Sequence, residues 1–247
     1  MKIIFLGTNG WFETATGNTL CVLLKTREYD IILDAGSGFF KLDSFIDGTK
    51  PVYLLLSHFH MDHITGLHGL SKISCSRGLT IIGQSGTRDI IGTIVNRPFT
   101  VPLHELSYKT EILELPADHA DVPFKLEYLA MTHSDPCLGY RVTADGKSVA
   151  FCTDTGYCEN AVKLGRNADL LITECAFRPG QSNDAWPHLN PGTAARIALE
   201  AGASRLALAH FDAARYITVD DRKEAERTAR EVFPGTVAAY DLMEIEI

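Results

Sequence analysis

Three histidines and an aspartate fall within six residues, His58-Phe59-His60-Met61-Asp62-His63. The hexapeptide directly follows Val52–Leu56, a continuous apolar run of the kind expected for a strand buried on both faces. In an extended chain His58 and His60 project to the same side, because side chains alternate with period two. Asp62 and His63 fall where the chain must turn into a helix, with Ile64 and Leu67 at helical spacing. Imidazole nitrogens and a carboxylate oxygen at a strand-to-helix corner form a donor set for Zn2+ and other first-row divalent cations. A polar loop with chance histidines is the bland alternative, and it explains poorly why four donors crowd behind an apolar strand. Asp62 and His63 diverge from His58 and His60, so one ion cannot easily take all four. Two ions are the more natural reading, and they need further donors.

Other apolar runs end on suitable residues. His133 follows Phe124–Ala130, Asp154 follows Ser148–Cys152, and His210 follows Leu206–Ala209. Each is expected to emerge at the same edge of a sheet. A lone buried histidine is more often a hydrogen-bonded core residue. The shared position beside the hexapeptide is what argues for ligation.

The elements that would carry these residues are readable in outline. Further strands are expected at Lys2–Leu6, Leu20–Lys25, Ile31–Leu33, Thr80–Ile82, Glu111–Leu115 and Leu138–Val142. Ala144-Asp145-Gly146 marks a hairpin turn, since Asp-Gly supplies positive φ. Pro191–Ala201 reads as a helix, with Asn190 as N-cap, Pro191 at the first position and Gly202 just past the end. A second helix is expected over Asp220–Val232. This alternation predicts mixed sheets with helices packed outside in layers. No linker, repeat or low-complexity tract interrupts the chain, so residues 1–247 read as one domain.

Composition narrows the functional classes. Lys plus Arg number 23 and Asp plus Glu 31, a net charge of −8, and this does not suggest the basic face of a polyanion binder. The opening Met1–Gly7 lacks the features of a signal peptide, and no run approaches the ~20 apolar residues of a membrane helix. A cytoplasmic location without a membrane partner is therefore expected. There, six cysteines without a C-x-x-C spacing read as reduced, mostly buried thiols, although thiolate ligation by Cys152 or Cys175 is conceivable. Gly7-Thr8-Asn9-Gly10 is not a phosphate-binding fingerprint, and Gly83-Gln84-Ser85-Gly86 lacks the spacing of a nucleophile elbow.

Taken in order, His58-x-His60-x-Asp62-His63, His133, Asp154 and His210 resemble the metallo-β-lactamase superfamily in its two-metal hydrolase branch. The resemblance begins in the first strands, includes Leu33-Asp34-Ala35-Gly36 and runs to His210. It implies an α/β (α+β) fold, the four-layer αββα sandwich of two mixed sheets flanked by helices. It also implies two divalent ions, Zn2+ first with Mn2+ or Fe2+ as alternatives. His58, His60 and His133 would hold one ion, Asp62, His63 and His210 the other, and Asp154 would bridge them. The commonest true β-lactamases carry Cys where this chain has Asp154, so that activity is not implied. An Asp bridge is shared by glyoxalase II, lactonases, ribonuclease Z and several phosphodiesterases.

Two features point within that group. His188, in His188-Leu189-Asn190-Pro191-Gly192-Thr193, resembles the extra histidine of ribonuclease Z and related phosphodiesterases, in a stretched form of their His-x-Thr-like motif. Glu174, in Thr173-Glu174-Cys175-Ala176, is similar to the Glu of the ribonuclease Z motif His-Glu-Ala-Thr, and Phe5-Leu6-Gly7-Thr8 is similar too. Bacterial ribonuclease Z carries a long tRNA-binding arm between the positions matching His133 and Asp154, whereas here the intervening segment suffices for one hairpin. The resemblance therefore implies an arm-less phosphodiesterase using a metal-bridging hydroxide on a small or cyclic phosphodiester or an RNA end. Asp62 would take the proton of the attacking water, His188 would serve as general acid, and Glu174 would hold the His188 ring.

Alternatives of other classes are a thioester or lactone hydrolase of the same fold, a tRNA 3′-processing endonuclease, and a non-catalytic metal-stabilised module. Asp34 could orient a ligand histidine or simply form an Asx turn. His68 reads as structural, and His104 and His119 carry no signal beyond loop position. Trp186 and Phe177, near His188, would line a substrate pocket or belong to the core. A homodimer is common among proteins of this family.

Overall fold

Period-two alternation divides nearly every strand between two apolar layers. In the computed structural model, which describes residues 1–118 and 121–247, Ile3 and Phe5 face one layer while Ile4 and Leu6 face another. Val149 and Phe151 point inward in the same way, with Ala150 and Cys152 on the opposite face. His119 lies outside the described residues.

The strands in chain order are β1 (Lys2–Gly7), β2 (Asn9–Gly10), β3 (Cys21–Lys25), β4 (Asp30–Leu33), β5 (Val52–Leu55), β6 (Leu79–Gln84), β7 (Thr110–Leu115), β8 (Lys125–Ala130), β9 (Leu138–Ala144), β10 (Lys147–Cys152), β11 (Leu170–Glu174), β12 (Leu206–Ala209), β13 (Phe211–Asp212), β14 (Thr236–Ala238) and β15 (Glu244–Glu246). The helices are α1 (Met61–Ile64), α2 (Thr87–Ile94), α3 (Glu159–Gly165), α4 (Pro191–Ala201) and α5 (Val219–Arg230). One sheet has the order β15-β1-β3-β4-β5-β6-β7 and the other β14-β12-β11-β10-β9-β8, while β2 and β13 pair separately. Both large sheets are mixed: β4 to β7 run parallel, as do β10, β11, β12 and β14, and their remaining neighbours are antiparallel.

Three apolar layers separate four structural ones. The central layer packs Phe5, Val22, Leu24 and Leu33 of the first sheet against Tyr140, Phe151 and Ile172 of the second. A second layer lies under α2 and two 3-10 segments, Ser37–Ser44 and Thr65–Lys72. The third lies under α3, α4 and α5. This is the four-layer αββα arrangement expected from the sequence.

Local chemistry explains most boundaries. In α4 the Asn190 Oδ1 accepts from the Thr193 amide at 3.0 Å, Thr193 Oγ1 accepts from the Asn190 amide at 2.9 Å, and Gly202 closes the helix at φ 62°. α5 differs from the expected Asp220–Val232. It starts at Val219 because Thr218 and Asp221 form a reciprocal cap, and it ends at Arg230. The helix expected after the hexapeptide is one α-helical turn that tightens into the 3-10 segment Thr65–Lys72. Gly66 permits this, since a Cβ there would lie 2.4 Å from that of Phe39. The β9–β10 hairpin turns through Asp145 (φ 53°) and Gly146 (φ 75°), as the Asp-Gly pair predicts. That hairpin spans most of the segment between His133 and Asp154.

Strand direction gathers the polar residues. Because β8 and β10 both run antiparallel to β9, they point the same way, and β11 and β12 are parallel to β10. His133, Asp154 and His210 therefore follow β8, β10 and β12 at one common edge, with Glu174 ending β11. Such carboxyl ends are where open α/β sheets place their sites. Among the described residues no helix is long and apolar enough to cross a membrane.

Candidate metal centre and its cleft

The seven residues singled out as ligands come together in two groups. His58, His60, His133 and Asp154 place donor atoms within 4.8 Å of one another, and so do Asp62, His63 and His210. Asp154 divides its carboxylate between them. Its Oδ2 lies 3.7 Å from His58 Nε2 and 3.9 Å from His133 Nε2. Its Oδ1 lies 3.3 Å from Nε2 of both His63 and His210. Asp154 and His210 both adopt left-handed backbone, φ 49° and 47°, at the turns just beyond their strands. Non-glycine residues rarely adopt this conformation, and when they do it is often at functional sites.

Buried hydrogen bonds orient the imidazoles. His63 Nδ1 donates to Asp34 Oδ2 at 2.8 Å, and Asp34 also accepts from the amide and hydroxyl of Ser57 at 2.7 and 2.8 Å. Asp34 is fully buried, so its contact with His63 goes beyond the local Asx turn weighed from sequence. His58 Nδ1 lies 3.0 Å from Ser57 Oγ and 3.9 Å from Cys137 Sγ. His60 is the exposed member, with Nε2 3.0 Å from Asp135 Oδ2. Asp62 Oδ2 accepts the Trp11 amide at 2.6 Å and lies 3.2 Å from His210 Nε2.

The electrostatics differ between the groups. Burial, reinforced by neighbouring imidazoles, pushes His58 down to about 2, and burial also lowers His133. Burial would lower His63 and His210 as well, but the Asp154 and Asp62 carboxylates outweigh it and raise both. Burial would raise Asp154, yet His210 and His63 hold it well below the usual carboxylate range.

The donor set fits a cation. Among the described residues, His58 Nε2, His133 Nε2 and His210 Nδ1 are buried without a hydrogen-bond partner. An unpaired buried polar atom costs about 1–3 kcal/mol. The two Nε2 atoms face Asp154 across a gap that a divalent cation would satisfy, and neutral imidazole with carboxylate is the chemistry such ions take.

Beside the ligand candidates stands a second constellation. His188 Nδ1 donates to Glu174 Oε1 at 2.7 Å. Glu174 is fully buried and also accepts the amides of Thr155, Ala176 and Leu189 at 2.6, 3.2 and 3.2 Å. The His188 ring lies 5.7 Å from that of His133 and 6.3 Å from that of His210. Burial lowers its basicity, but the Glu174 carboxylate outweighs that and leaves the pKa raised. His188, Trp11, Met61, Trp186, Ser134 and five of the seven ligand candidates line a cleft of about 430 Å³.

A model of the beta-lactamase superfamily domain matches residues 29–211. The chain belongs to the beta-lactamase superfamily. This member is 30% identical over 243 residues to "Probable metallo-hydrolase YhfI" of Bacillus subtilis (strain 168), an alignment covering 96% of each protein. The crystal structure of YhfI superposes with a TM-score of 0.81 at 27% identity, covering 100% of this chain and 98% of that one. Ribonuclease Z of Nostoc punctiforme is 28% identical over an alignment of 311 residues that takes in 100% of this chain and 96% of that protein. The structure of human tRNase Z, short form, superposes with a TM-score of 0.77 at 25% identity, covering 100% of this chain and 99% of that chain. The superfamily member described here is accordingly a hydrolytic metalloenzyme of this fold, and divalent metal binding comes with that family.

The remaining sequence candidates sort clearly. Phe177 is buried, while Trp186 borders the cleft. His68 is exposed and packs edge-on against Phe40, apart from both ligand groups. His104 is exposed on a 3-10 turn. Cys152 and Cys175 are buried free thiols outside the ligand groups, with Cys175 against Tyr216. Burial pushes the Cys175 thiol up to about 12. Sequence reasoning missed Asp135, the Trp11 amide and Gly10. Only Asp135 had a signal, as a carboxylate beside His133. Gly10 is needed by shape, because a Cβ there would lie 2.5 Å from His210 Cε1.

Proposed function

We propose that the protein is a binuclear metal-dependent phosphodiesterase acting on a small or cyclic phosphodiester. His58, His60 and His133 would hold one ion and Asp62, His63 and His210 the other, with Asp154 giving one oxygen to each. Zn2+ is the expected ion, and Mn2+ and Fe2+ accept the same donors. Bound divalent cations lower the pKa of water from ~15.7 toward ~7 and offset charge developing on phosphoryl oxygens.

The observation that carries the phosphodiester reading is the Glu174–His188 pair at the cleft wall. An alkoxide leaving a phosphodiester needs a proton, whereas a thiolate leaves far more readily without one. With Nδ1–H held by Glu174, His188 presents Nε2 as the atom that delivers that proton. The raised pKa favours the protonated form. Three backbone amides fix Glu174, so the ring is held by a carboxylate that is itself held. On the opposite side, Asp62 would accept the proton of the attacking water.

RNA 3′-end processing is a second reading, favoured by the ribonuclease Z relative that aligns across the whole chain. Against it, the β9–β10 hairpin occupies the segment where an arm would lie, and the alignment of 311 residues exceeds the 247 of this chain. The test is hydrolysis by metal-loaded protein of a phosphodiester, a thioester and a lactone in parallel. Turnover of the phosphodiester at the highest kcat/KM is expected. Preference for thioester or lactone would replace this reading with carbon-centred hydrolysis.

A further inference from the structure

We propose that Trp11 and the apolar side chains beside it form a nucleobase-stacking shelf, and that the substrate is therefore a small nucleotide phosphodiester. This rests on the phosphodiesterase reading and extends it to the part of the substrate that does not react.

Trp11 is 59% exposed and Met61 67% exposed, at the mouth of the cleft that holds the ligand candidates. Both side chains also line an adjoining groove of about 320 Å³, where Phe12 and Phe40 are about half exposed. The Trp186 ring lies 6.1 Å from that of Trp11 and 4.2 Å from that of His188. Aromatic surface thus runs from the groove, over Trp11 and Trp186, to the proposed acid. Contiguous exposed apolar surface of this kind marks a binding site.

The chain holds Trp11 in place. The residue has a φ of 71°, uncommon for a bulky side chain, and its amide donates to Asp62 Oδ2. Beneath it, buried Asn9 donates from Nδ2 to Phe12 O, Thr14 Oγ1 and Gly17 O at 3.1, 3.1 and 2.9 Å. Asn9 Oδ1 in turn accepts from the buried guanidinium of Arg222. With the backbone that carries it fixed in this way, the indole offers a flat face at reduced ordering cost.

Chemistry selects the occupant. A nucleobase stacks on an exposed indole whatever its sequence. A long polynucleotide would also need Lys or Arg along its path, and among the described residues none lines the cleft. The cleft volume lies near the lower end of the range for small-molecule sites.

The experiment compares two esters with the same p-nitrophenolate leaving group, thymidine 5′-p-nitrophenyl phosphate and methyl p-nitrophenyl phosphate, in wild type, Trp11→Ala and Trp11→Phe. Wild type is expected to favour the nucleoside ester about tenfold or more in kcat/KM, mainly through KM, within the range of base–aromatic stacking. Trp11→Ala should collapse that ratio and Trp11→Phe should largely keep it. A ratio near one in wild type, or one unchanged in Trp11→Ala, overturns the shelf and leaves the phosphodiesterase reading standing. Greater preference for a long-chain alkyl ester also overturns it. If neither ester is turned over, the phosphodiesterase reading fails. The shelf is then judged by calorimetric binding of adenosine 5′-monophosphate, which Trp11→Ala must weaken severalfold. Dinucleotide and cyclic nucleotide, assayed separately, distinguish the natural sources, and a far higher kcat/KM on a tRNA precursor would contradict the small substrate.

Discussion

The two ligand groups differ in how they are built. His58, His60 and His133 are three imidazoles, one of them exposed and bonded to Asp135, and among the described residues the Nε2 atoms of His58 and His133 lack a partner, as does His210 Nδ1 in the other group. Asp62, His63 and His210 form the better-supported group: Asp34 fixes His63, Gly10 lies against His210, and the Trp11 amide holds Asp62. Burial holds His58 and His133 neutral, whereas His63 and His210 carry raised pKa values because carboxylates surround them. Two ions bridged by one aspartate would therefore not be equivalent. Above the raised imidazole range the second, with its extra carboxylate, should bind more tightly; below that range its imidazoles must shed protons and it should be lost first.

Changes to the shared residue should erase the difference. Asp154→Ala is expected to abolish both ions and reduce hydrolysis to background, measured by metal content and by rate. Retention of two ions would show that Asp154 is no bridge. Asp34→Ala should weaken the second ion by about 10- to 100-fold, as removal of a ligand's hydrogen-bond partner does, and the first ion much less, through Ser57 against His58. Chelator competition reads this, and equal weakening of both ions would contradict it.

Acidity should separate the groups next. In metal-free protein His63 and His210 have raised pKa values, so an ion must displace their protons. Affinity for the second ion should fall as pH drops through that raised range and recover as pH rises. The His58 and His133 pKa values are lowered, so these rings are already neutral there and contribute no such fall to the first ion. Metal titrations at several pH values check this, and parallel slopes would contradict it. Gly10→Ala is the smallest change: the added methyl must displace the His210 ring, and second-ion affinity should drop severalfold while the first ion is untouched.

Much of the site could be read from residue type and position. His58 to His63, His133, Asp154 and His210 each end an apolar run, and strands pointing one way bring such ends together. His188 and Glu174 were legible only through resemblance, since nothing in their spacing says that they touch. Of the groups that support the ligand candidates, only Asp135 had a signal in the sequence. Asp135, Gly10 and the Trp11 amide act through contacts between distant segments. The missing elements have local reasons. The three apolar residues of Leu170–Glu174 cannot be assigned to strand or helix by periodicity alone. α2 and α3 have no side-chain cap to announce them.

The decisive measurement is hydrolysis by protein carrying two Zn2+ per chain, wild type beside His188→Ala, on phosphodiesters with p-nitrophenolate and simple alkoxide leaving groups. The expected result is turnover by wild type and a loss of ~10² or more in the variant, with metal content unchanged and the larger loss on the alkoxide. Two bound ions without phosphodiester turnover would contradict the phosphodiesterase, and equal small losses on both substrates would remove His188 from proton transfer.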